Sequence, residues 1–578
     1  ALETHFMQNL ATSLFTTSEW EAVANLLKRL SNEQTEWLAN NLLDISTTDK
    51  SIAVEKRAVV AYGTETGNSK GIAQQFYEKA VHQNKSIELI NLADFKLKQL
   101  KQINQLYIVC STHGDGEPPE PIASFYDELI HLNEDLSHLS YAVLALGDSS
   151  YDHFCLTGIT IDDRLRELNA SPFTECVECD VDFEETAEEW ITYCLPTLPN
   201  MTKNSEVLTK SRHKIRTSTY SKTSPLSVEV IKNTRLSDDS RSNPIHHLEL
   251  QVPDNIQLSL TAGDGIGVLP QNPPQLVRQI LSLTTFSGDE SVVVKQRAVP
   301  LVEALREYCD LTLVTAQCLT KWSETSNNRD LIKLCQDKQT LRSYLKRHQL
   351  TDILVNHSLQ LTPQQLVDSL RPLQPRLYDV ANSTRQIQDE LHLTVEKYRY
   401  SWSGKLQNGI CSTYLTGIEE GENLLVFPHH NKRFHLPTNQ NSPIILIADG
   451  TGIAPFRAFI QEIQSNPNRE HSVWLILREC TFLNDFLYQT EWSQYLKDGL
   501  LTRLNTSFFD DVPNKSIYDI IQDNEDTCNG WLSAGAHLYL SGHKEIFDQL
   551  TQTLSKTSSY KQSWLQLTQQ KRLHKNVY

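Results

Sequence analysis

Val59-Val60-Ala61-Tyr62-Gly63-Thr64-Glu65-Thr66-Gly67-Asn68 is an apolar run that ends in hydroxyl and glycine residues, and a helical spacing of Ile72, Phe76 and Ala80 follows it. A strand that enters a helix through such a turn points unpaired backbone N–H groups and the positive end of the helix dipole at one spot, which makes an anion cradle. The turn lacks the Lys-Ser/Thr of a nucleoside triphosphate loop and the Gly-x-Gly-x-x-Gly of a pyrophosphate loop. What remains is a cradle for a single phosphomonoester, built from Thr64, Glu65, Thr66, Gly67, Asn68 and Ser69.

Around this stretch, over residues 55–199, apolar runs at 58–62, 86–92, 105–111, 141–147 and 173–179 alternate with helical spacings. Near-continuous apolar strands joined by helical crossovers predict a doubly wound parallel sheet, with its ligand outside the carboxyl ends of the strands. Two further strand ends carry unusual turns. One is Ser111-Thr112-His113-Gly114, running on to Gly116-Glu117-Pro118-Pro119; the other is Leu146-Gly147-Asp148-Ser149-Ser150-Tyr151, running on to Phe154-Cys155. Their glycines let backbone approach a flat ring, and Tyr151 can stack on one.

At 578 residues the chain is too long for one core, and three to four domains are expected. A net charge of −18 argues against nucleic acid or an anionic membrane as partner and for a basic protein. No apolar run approaches the ~20 residues that span a bilayer, and Ala1-Leu2-Glu3-Thr4 has no basic flank, so a cytoplasmic protein is expected. The eleven cysteines are scattered singly and read as reduced thiols. Cys176 and Cys179 lie on an alternating stretch that puts their sulfurs on opposite faces, so no metal site is expected.

Residues 1–50 read as an amphipathic helical arm striped by Leu27, Leu30, Trp37, Leu38, Leu42 and Leu43, too small for a core of its own. Residues 200–222 are rich in Ser, Thr and Lys, as a flexible linker is. Over 223–440 the pattern turns to β, with strands at 227–232, 246–252 and 391–399 and a helical insert at about 273–370. Over 441–578 the run Pro443-Ile444-Ile445-Leu446-Ile447-Ala448-Asp449-Gly450-Thr451-Gly452-Ile453-Ala454-Pro455 gives a strand, a glycine turn and a Pro-opened helix, a dinucleotide site in outline. Strands at 473–477, 501–505 and 537–540 complete an α/β sheet there.

The loops Ser111-Thr112-x-Gly-x-Gly-Glu-Pro-Pro-Glu and Leu146-Gly-Asp-Ser-Ser-Tyr-x-x-Phe-Cys resemble those of the diflavin reductases, most closely the sulfite reductase flavoprotein branch, over nearly the whole chain. The resemblance implies a flavodoxin-like FMN domain, an FAD-binding β-barrel with a helical insert, and a Rossmann-like nicotinamide domain of ferredoxin-reductase type. It implies that the arm serves oligomerisation. It also implies electron flow from NADPH through FAD and FMN to a sirohaem/iron-sulfur hemoprotein or another basic redox protein. Arg376, Leu377, Tyr378 and Asp379 resemble the family's flavin-binding Arg-x-Tyr-Ser, and Gly409, Ile410, Cys411 and Ser412 its second pyrophosphate contact. Thr394, Val395 and Tyr400 complete the implied FAD set, and Tyr578 matches the aromatic that the family stacks on FAD. Gly450, Thr451, Gly452, Phe509, Asp510 and Lys515 fall where it holds NADPH.

Departures from the family pattern gather in the hydride-accepting half. Asp379 replaces a serine, Asp449 a Pro or Ala, Arg478 a glycine, Phe509-Asp510 a Ser-Arg pair, Ser541 a cysteine, His543 an aspartate and Asn576 another aspartate; Tyr518 is one place out of register with Lys515. Ser541, Asp379 and Asn576 are the expected hydride-transfer set. Two readings stay open: a working reductase, or an FMN-competent electron-transfer or assembly subunit whose NADPH-oxidising half is degenerate. In either, the acidic residues Glu175, Glu178, Asp180, Asp182, Glu184, Glu185, Glu188 and Glu189 are candidates for steering a basic partner.

Overall fold

The computed structural model describes residues 57–578 apart from 66, 114–115, 150, 152, 201–219, 240, 255, 257, 327, 358, 467–471 and 558–559. The arm expected over 1–50 and most of the linker lie outside the described residues, as do Thr66, Gly114 and Ser150.

The first unit is a sheet of β1 (Ala58–Gly63), β2 (Glu88–Asn91), β3 (Gln105–Ser111), β4 (Ser140–Leu146), β5 (Ser171–Pro172) and β6 (Val177–Cys179). Its order is β2-β1-β3-β4-β5, with β6 also on β4, and every pairing is parallel. Val59, Ile108 and Val143 enter the core on one face; Val60, Val109 and Leu144 enter the core on the other. Burial on both faces is why these strands read as unbroken apolar runs. Order reverses between β1 and β3, so the crevice opens at the end of β1, where the cradle lies.

The strand expected over 173–179 is two short pieces. Tyr141 pairs with Pro172 and Leu144 with Val177, so β4 advances three residues while its neighbour advances five. The extra residues leave the ladder just after Pro172, which has no N–H to donate. Cys176 still packs on one face of the sheet and Cys179 on the other.

The second unit contains β7 (Leu226–Arg235), β8 (Ile245–Gln251), β9 (Gly265–Leu269), the hairpin β10 (Ser291–Val294) and β11 (Arg297–Pro300), β12 (Arg376–Asp379), β13 (Glu390–Glu396), the hairpin β14 (Arg399–Trp402) and β15 (Lys405–Asn408), and β16 (Asn423–His429). Six of them form an antiparallel sheet in the order β12-β9-β16-β7-β8-β13. Its edges meet where Val380 bridges Leu393, and Ala381 N donates to His392 O at 2.7 Å, so the sheet curls closed. Helices from Pro274–Thr284 to Pro363–Ser369 form the insert, packed around Trp322, whose indole N–H donates to Ser369 Oγ at 2.6 Å. The strand expected over 391–399 stops at Glu396, and a separate hairpin turns at Ser403-Gly404, both with positive φ.

The third unit is the parallel sheet β17 (Ile444–Asp449), β18 (Val473–Glu479), β19 (Arg503–Phe508), β20 (His537–Gly542) and β21 (Leu573–Val577), in the order β19-β18-β17-β20-β21. Its reversal falls between β17 and β20, which places the Gly450-Thr451-Gly452 turn at the crevice. Arg457, on helix Ala454–Gln464, locks this unit to the barrel by donating to Ala381 O at 2.9 Å.

Candidate functional site

At the first crevice, Gly67 takes a left-handed φ of 93° and precedes helix Asn68–His82. Its N–H donates to Thr64 Oγ1 at 2.9 Å, which fixes the turn. Ser69 is fully buried in the first turn of that helix, yet its Oγ has no partner among the described residues, and neither has the buried Oγ1 of Thr157. An orphaned buried hydroxyl is costly unless a bound group satisfies it, and a phosphate in the cradle can accept from Ser69. Thr112 Oγ1 accepts from Thr157 N at 3.2 Å, so the second turn is braced by the helix after the third. His113 pairs with Glu65 at 3.1 Å across the mouth. Ser111 ends β3, its Oγ 3.4 Å from Gly63 O.

In the third turn, a Cβ on Gly147 would lie 2.7 Å from Cys155 N, so the loop is closed tightly on itself. Cys155 itself takes φ 56° and buries its thiol against Ala145 O. Ser149 donates its N–H to Asp180 at 3.1 Å and its hydroxyl to the same carboxylate. Tyr151 is exposed, free to cover a ring, and Phe154 lies under the Arg342 guanidinium at 5.5 Å. These residues fit FMN: hydroxyls and amides for a phosphate at one end, an aromatic and open backbone at the other.

On the barrel, Arg376 stands exposed, while Leu377, Tyr378 and Asp379 are partly buried along β12 opposite Gly267, Ile266 and Gly265. Gly409 caps helix Ile410–Gly417; Ser412 Oγ accepts from Tyr398 N at 3.0 Å, and Thr413 Oγ1 is buried without a partner among the described residues. Tyr400 stacks against Tyr398 at 5.9 Å between ring centres and accepts from Gln349 at 3.2 Å. Arginine, a helix start with an orphaned hydroxyl, and Tyr378 fit a pyrophosphate and ring such as FAD carries. Thr394 and Val395 are turned elsewhere: Thr394 bonds the Tyr488 hydroxyl at 2.6 Å, and Val395 lies in the barrel core.

The hydride-transfer set converges where the barrel meets the third sheet. Asn576 Nδ2 donates to Asp379 Oδ2 at 2.8 Å, and Ser541 faces Asn576 across the β20–β21 pairing, its Oγ buried and unpartnered. Burial raises the Asp379 carboxyl to about 6, against the opposing pull of Asn576. Tyr578, half exposed, bonds Thr451 through its hydroxyl at 2.7 Å. Asp449, at the end of β17, bonds Arg478 at 2.6 Å and His543 Nδ1 at 2.6 Å. Its side chain is 3% exposed. Phe509 lies under the Arg478 guanidinium at 4.1 Å, while Lys515 pairs with Asp523 at 2.5 Å and Asp510 is exposed. Six of the departing residues are therefore one another's partners: Asp379 with Asn576, Asp449 with Arg478 and His543, and Arg478 with Phe509.

Three family models match in chain order: flavodoxin over residues 60–190, FAD binding domain over 218–414, and oxidoreductase NAD-binding domain over 446–552. The sulfite reductase [NADPH] flavoprotein alpha-component of Baumannia cicadellinicola subsp. Homalodisca coagulata is 34% identical over 529 residues, which is 89% of this chain and 88% of that protein. The protein of the same name from Shewanella sp. strain MR-4 is 35% identical over 545 residues, 91% of this chain and 90% of its own. That from Bacillus subtilis strain 168 is 32% identical over 601 residues, covering 98% and 99%. The chain belongs to the sulfite reductase flavoprotein family.

Membership accounts for the order of the three units, and the first two crevices carry the family's turns. Three residues have a place at the sites that sequence reading did not assign to them. Arg371, 5% exposed, bonds Asp310 at 2.8 Å and reaches Asp148 of the third FMN-side turn at 3.1 Å. Lys544 pairs with Glu117 of the second turn, and Asp180 anchors Ser149. Asp148 and Arg371 are 223 positions apart, beyond the reach of any local pattern.

The acidic run is partly engaged within the chain, while Glu175, Glu184, Glu185 and Glu189 stay exposed. Arg342 holds Glu178 at 3.6 Å, Thr315 donates to Asp182 at 2.7 Å, and Lys321 holds Glu185 at 3.0 Å, all from the helical insert. Lys79 pairs with Glu188, and Arg166 with Glu175 at 2.8 Å. All eleven cysteines are free, and no helix among the described residues is long and apolar enough to cross a membrane.

Proposed function

We propose that this chain is the NADPH-oxidising flavoprotein subunit of a sulfite reductase. Held by the residues named below, FAD would supply a hydride acceptor and FMN a one-electron carrier facing the hemoprotein subunit. The observation that carries the reading is the meeting of the three nucleotide turns: Asp148 bonds Arg371 beside the barrel, Glu117 bonds Lys544 after β20, and Asn576 bonds Asp379. A relay needs its stations side by side.

The chain's residues have distinct tasks. The Thr64–Ser69 turn, Thr112 and the Leu146–Cys155 turn hold FMN; Arg376, Tyr378 and Ser412 hold FAD; Gly450 and Gly452 admit the dinucleotide. Asp379, Asn576 and Ser541 line the hydride-transfer position, with Tyr578 closing it. The hydrogen bond of Asn576 to Asp379 and the ion pair of Asp449 with Arg478 favour a working nicotinamide half over a degenerate one, because independent decay does not produce matched partners. The reduced thiols support a cytoplasmic setting, and the arm over 1–50 supports assembly of several copies around the hemoprotein.

The test is anaerobic mixing of the purified protein with NADPH, with NADH, and then with dithionite, while following the flavin absorption. Rapid bleaching by NADPH is expected; bleaching by dithionite alone would overturn donor oxidation while leaving the flavin sites standing.

A further inference from the structure

A dinucleotide with a phosphate on its adenosine ribose needs a cation at the carboxyl edge of the sheet, beside the strand that follows the glycine turn. Most cations in this region are committed. Arg241 is surrounded by Glu479 at 3.1 Å, Asp485 at 2.8 Å and Glu396 at 3.5 Å. Arg503 bonds Asn524 and Thr527, and Lys515 bonds Asp523.

Arg478 is different. It occupies the next-to-last place of β18, directly opposite Asp449 in the parallel register. One nitrogen, Nη1, is held by Asp449 at 2.6 Å, and one face lies on Phe509 at 4.1 Å. The strand ladder continues past β19, with Phe509 N donating to Glu479 O at 3.0 Å and Asp510 N to Cys480 O at 2.9 Å, which fixes the aromatic beneath the guanidinium. The Arg478 side chain is 23% exposed. A guanidinium pinned at one nitrogen and one face, with its remaining N–H edge uncommitted among the described residues, is pre-organised to bind a phosphate.

The next residue bears on the ribose, not on the phosphate. Glu479, the next residue, is 2% exposed, and its Oε1 has no partner. That oxygen lies 4.0 Å from where a Cβ on Gly450 would sit, so it faces the glycine turn. An acidic group at this strand end accepts from the ribose 2′-hydroxyl where the dinucleotide is NAD, so Glu479 works against a 2′-phosphate and any preference for one falls to Arg478.

We propose that Arg478, clamped between Asp449 and Phe509, reads the 2′-phosphate of the adenosine half of NADPH. The inference rests on the nicotinamide reading above and assigns its specificity to one side chain. Phe509 holds the guanidinium flat and Asp449 sets its reach, so both are positioning residues. Asp510, exposed next to Phe509, carries a charge of the wrong sign for this task.

The experiment is calorimetric titration of the flavin-loaded protein with 2′,5′-ADP and with 5′-AMP. The wild type is expected to bind 2′,5′-ADP about ten- to a hundredfold tighter than 5′-AMP, as befits one charge-assisted contact. Arg478→Met should bring the two affinities together while leaving 5′-AMP nearly unchanged. That variant leaves Asp449 with His543 alone, so Asp449→Ala/Arg478→Met serves as a second variant without the stranded carboxylate. Phe509→Leu should lower the preference severalfold. Retention of the wild-type ratio in both Arg478 variants overturns the proposal, as does equal binding of the two probes by the wild type. Failure of the wild type to bind either probe overturns the nicotinamide reading itself.

Discussion

Asn576 Nδ2 lies 2.8 Å from Asp379 Oδ2, a single hydrogen bond that joins the last strand of the third sheet to the edge of the barrel. It links residues 197 positions apart at the proposed hydride-transfer position.

Asp379 sets a pH dependence of stability. Burial raises its folded carboxyl to about 6, above the ~3.9 of an unperturbed aspartate. The neutral form therefore stabilises the fold fully below about pH 4, and that contribution is lost as pH rises through about 6. Asp379→Asn stays neutral throughout. Thermal melts are expected to show a gap in favour of Asp379→Asn that is larger at pH 8 than at pH 4; a gap independent of pH would refute this account.

Arg371 and Asp148 differ in what their loss exposes. Arg371→Ala leaves Asp310 buried without its guanidinium and is expected to destabilise by about 3–5 kcal/mol in chemical denaturation. Asp148→Asn keeps the Arg371–Asp310 pair and should cost under about 1 kcal/mol, while small-angle scattering detects looser docking of the first unit.

Ser69→Ala separates binding from stability. Because the Ser69 hydroxyl is buried and unpartnered in the protein alone, its removal should leave the melting temperature of the FMN-free protein unchanged or raised. FMN affinity, measured by fluorescence quenching, should fall about tenfold. A large loss of apoprotein stability would mean that the hydroxyl has an internal role.

Gly452→Ala addresses the third crevice. A Cβ there would sit 2.1 Å from Ser541 O, a backbone atom, so turn and strand must separate. The expected cost is about 3 kcal/mol or more, seen as a lower-melting third unit with FMN binding intact. Wild-type melting would contradict the packing described.

Much of this was legible because turn chemistry is local. The three FMN-side turns and Gly450-Thr451-Gly452 follow apolar runs, and strand, glycine and helix signals lie within a dozen residues of one another. The hairpin at Ser403-Gly404 is equally local, yet the strand expected over 391–399 takes in only its first residue, Arg399, and leaves the turn unread. Strand Leu573–Val577 gave no signal, since all five residues are half-buried and neither alternate nor cluster by polarity. The departures from the family pattern could be found in sequence as separate oddities. That Asp449 meets Arg478, and Asp379 meets Asn576, follows only from parallel register and from closure of the barrel against the sheet.

The helical insert's hold on Glu178, Asp182 and Glu185 has a kinetic consequence. A basic redox protein approaching that surface would find Glu178 and Glu185 already engaged by Arg342 and Lys321, and Asp182 by the Thr315 hydroxyl, so it would have to displace a tenant before settling there. Ions that weaken the visitor's grip weaken the tenant's as well. Throughput plotted against ionic strength should therefore rise before it falls, peaking where eviction has become easy and recruitment has not yet failed.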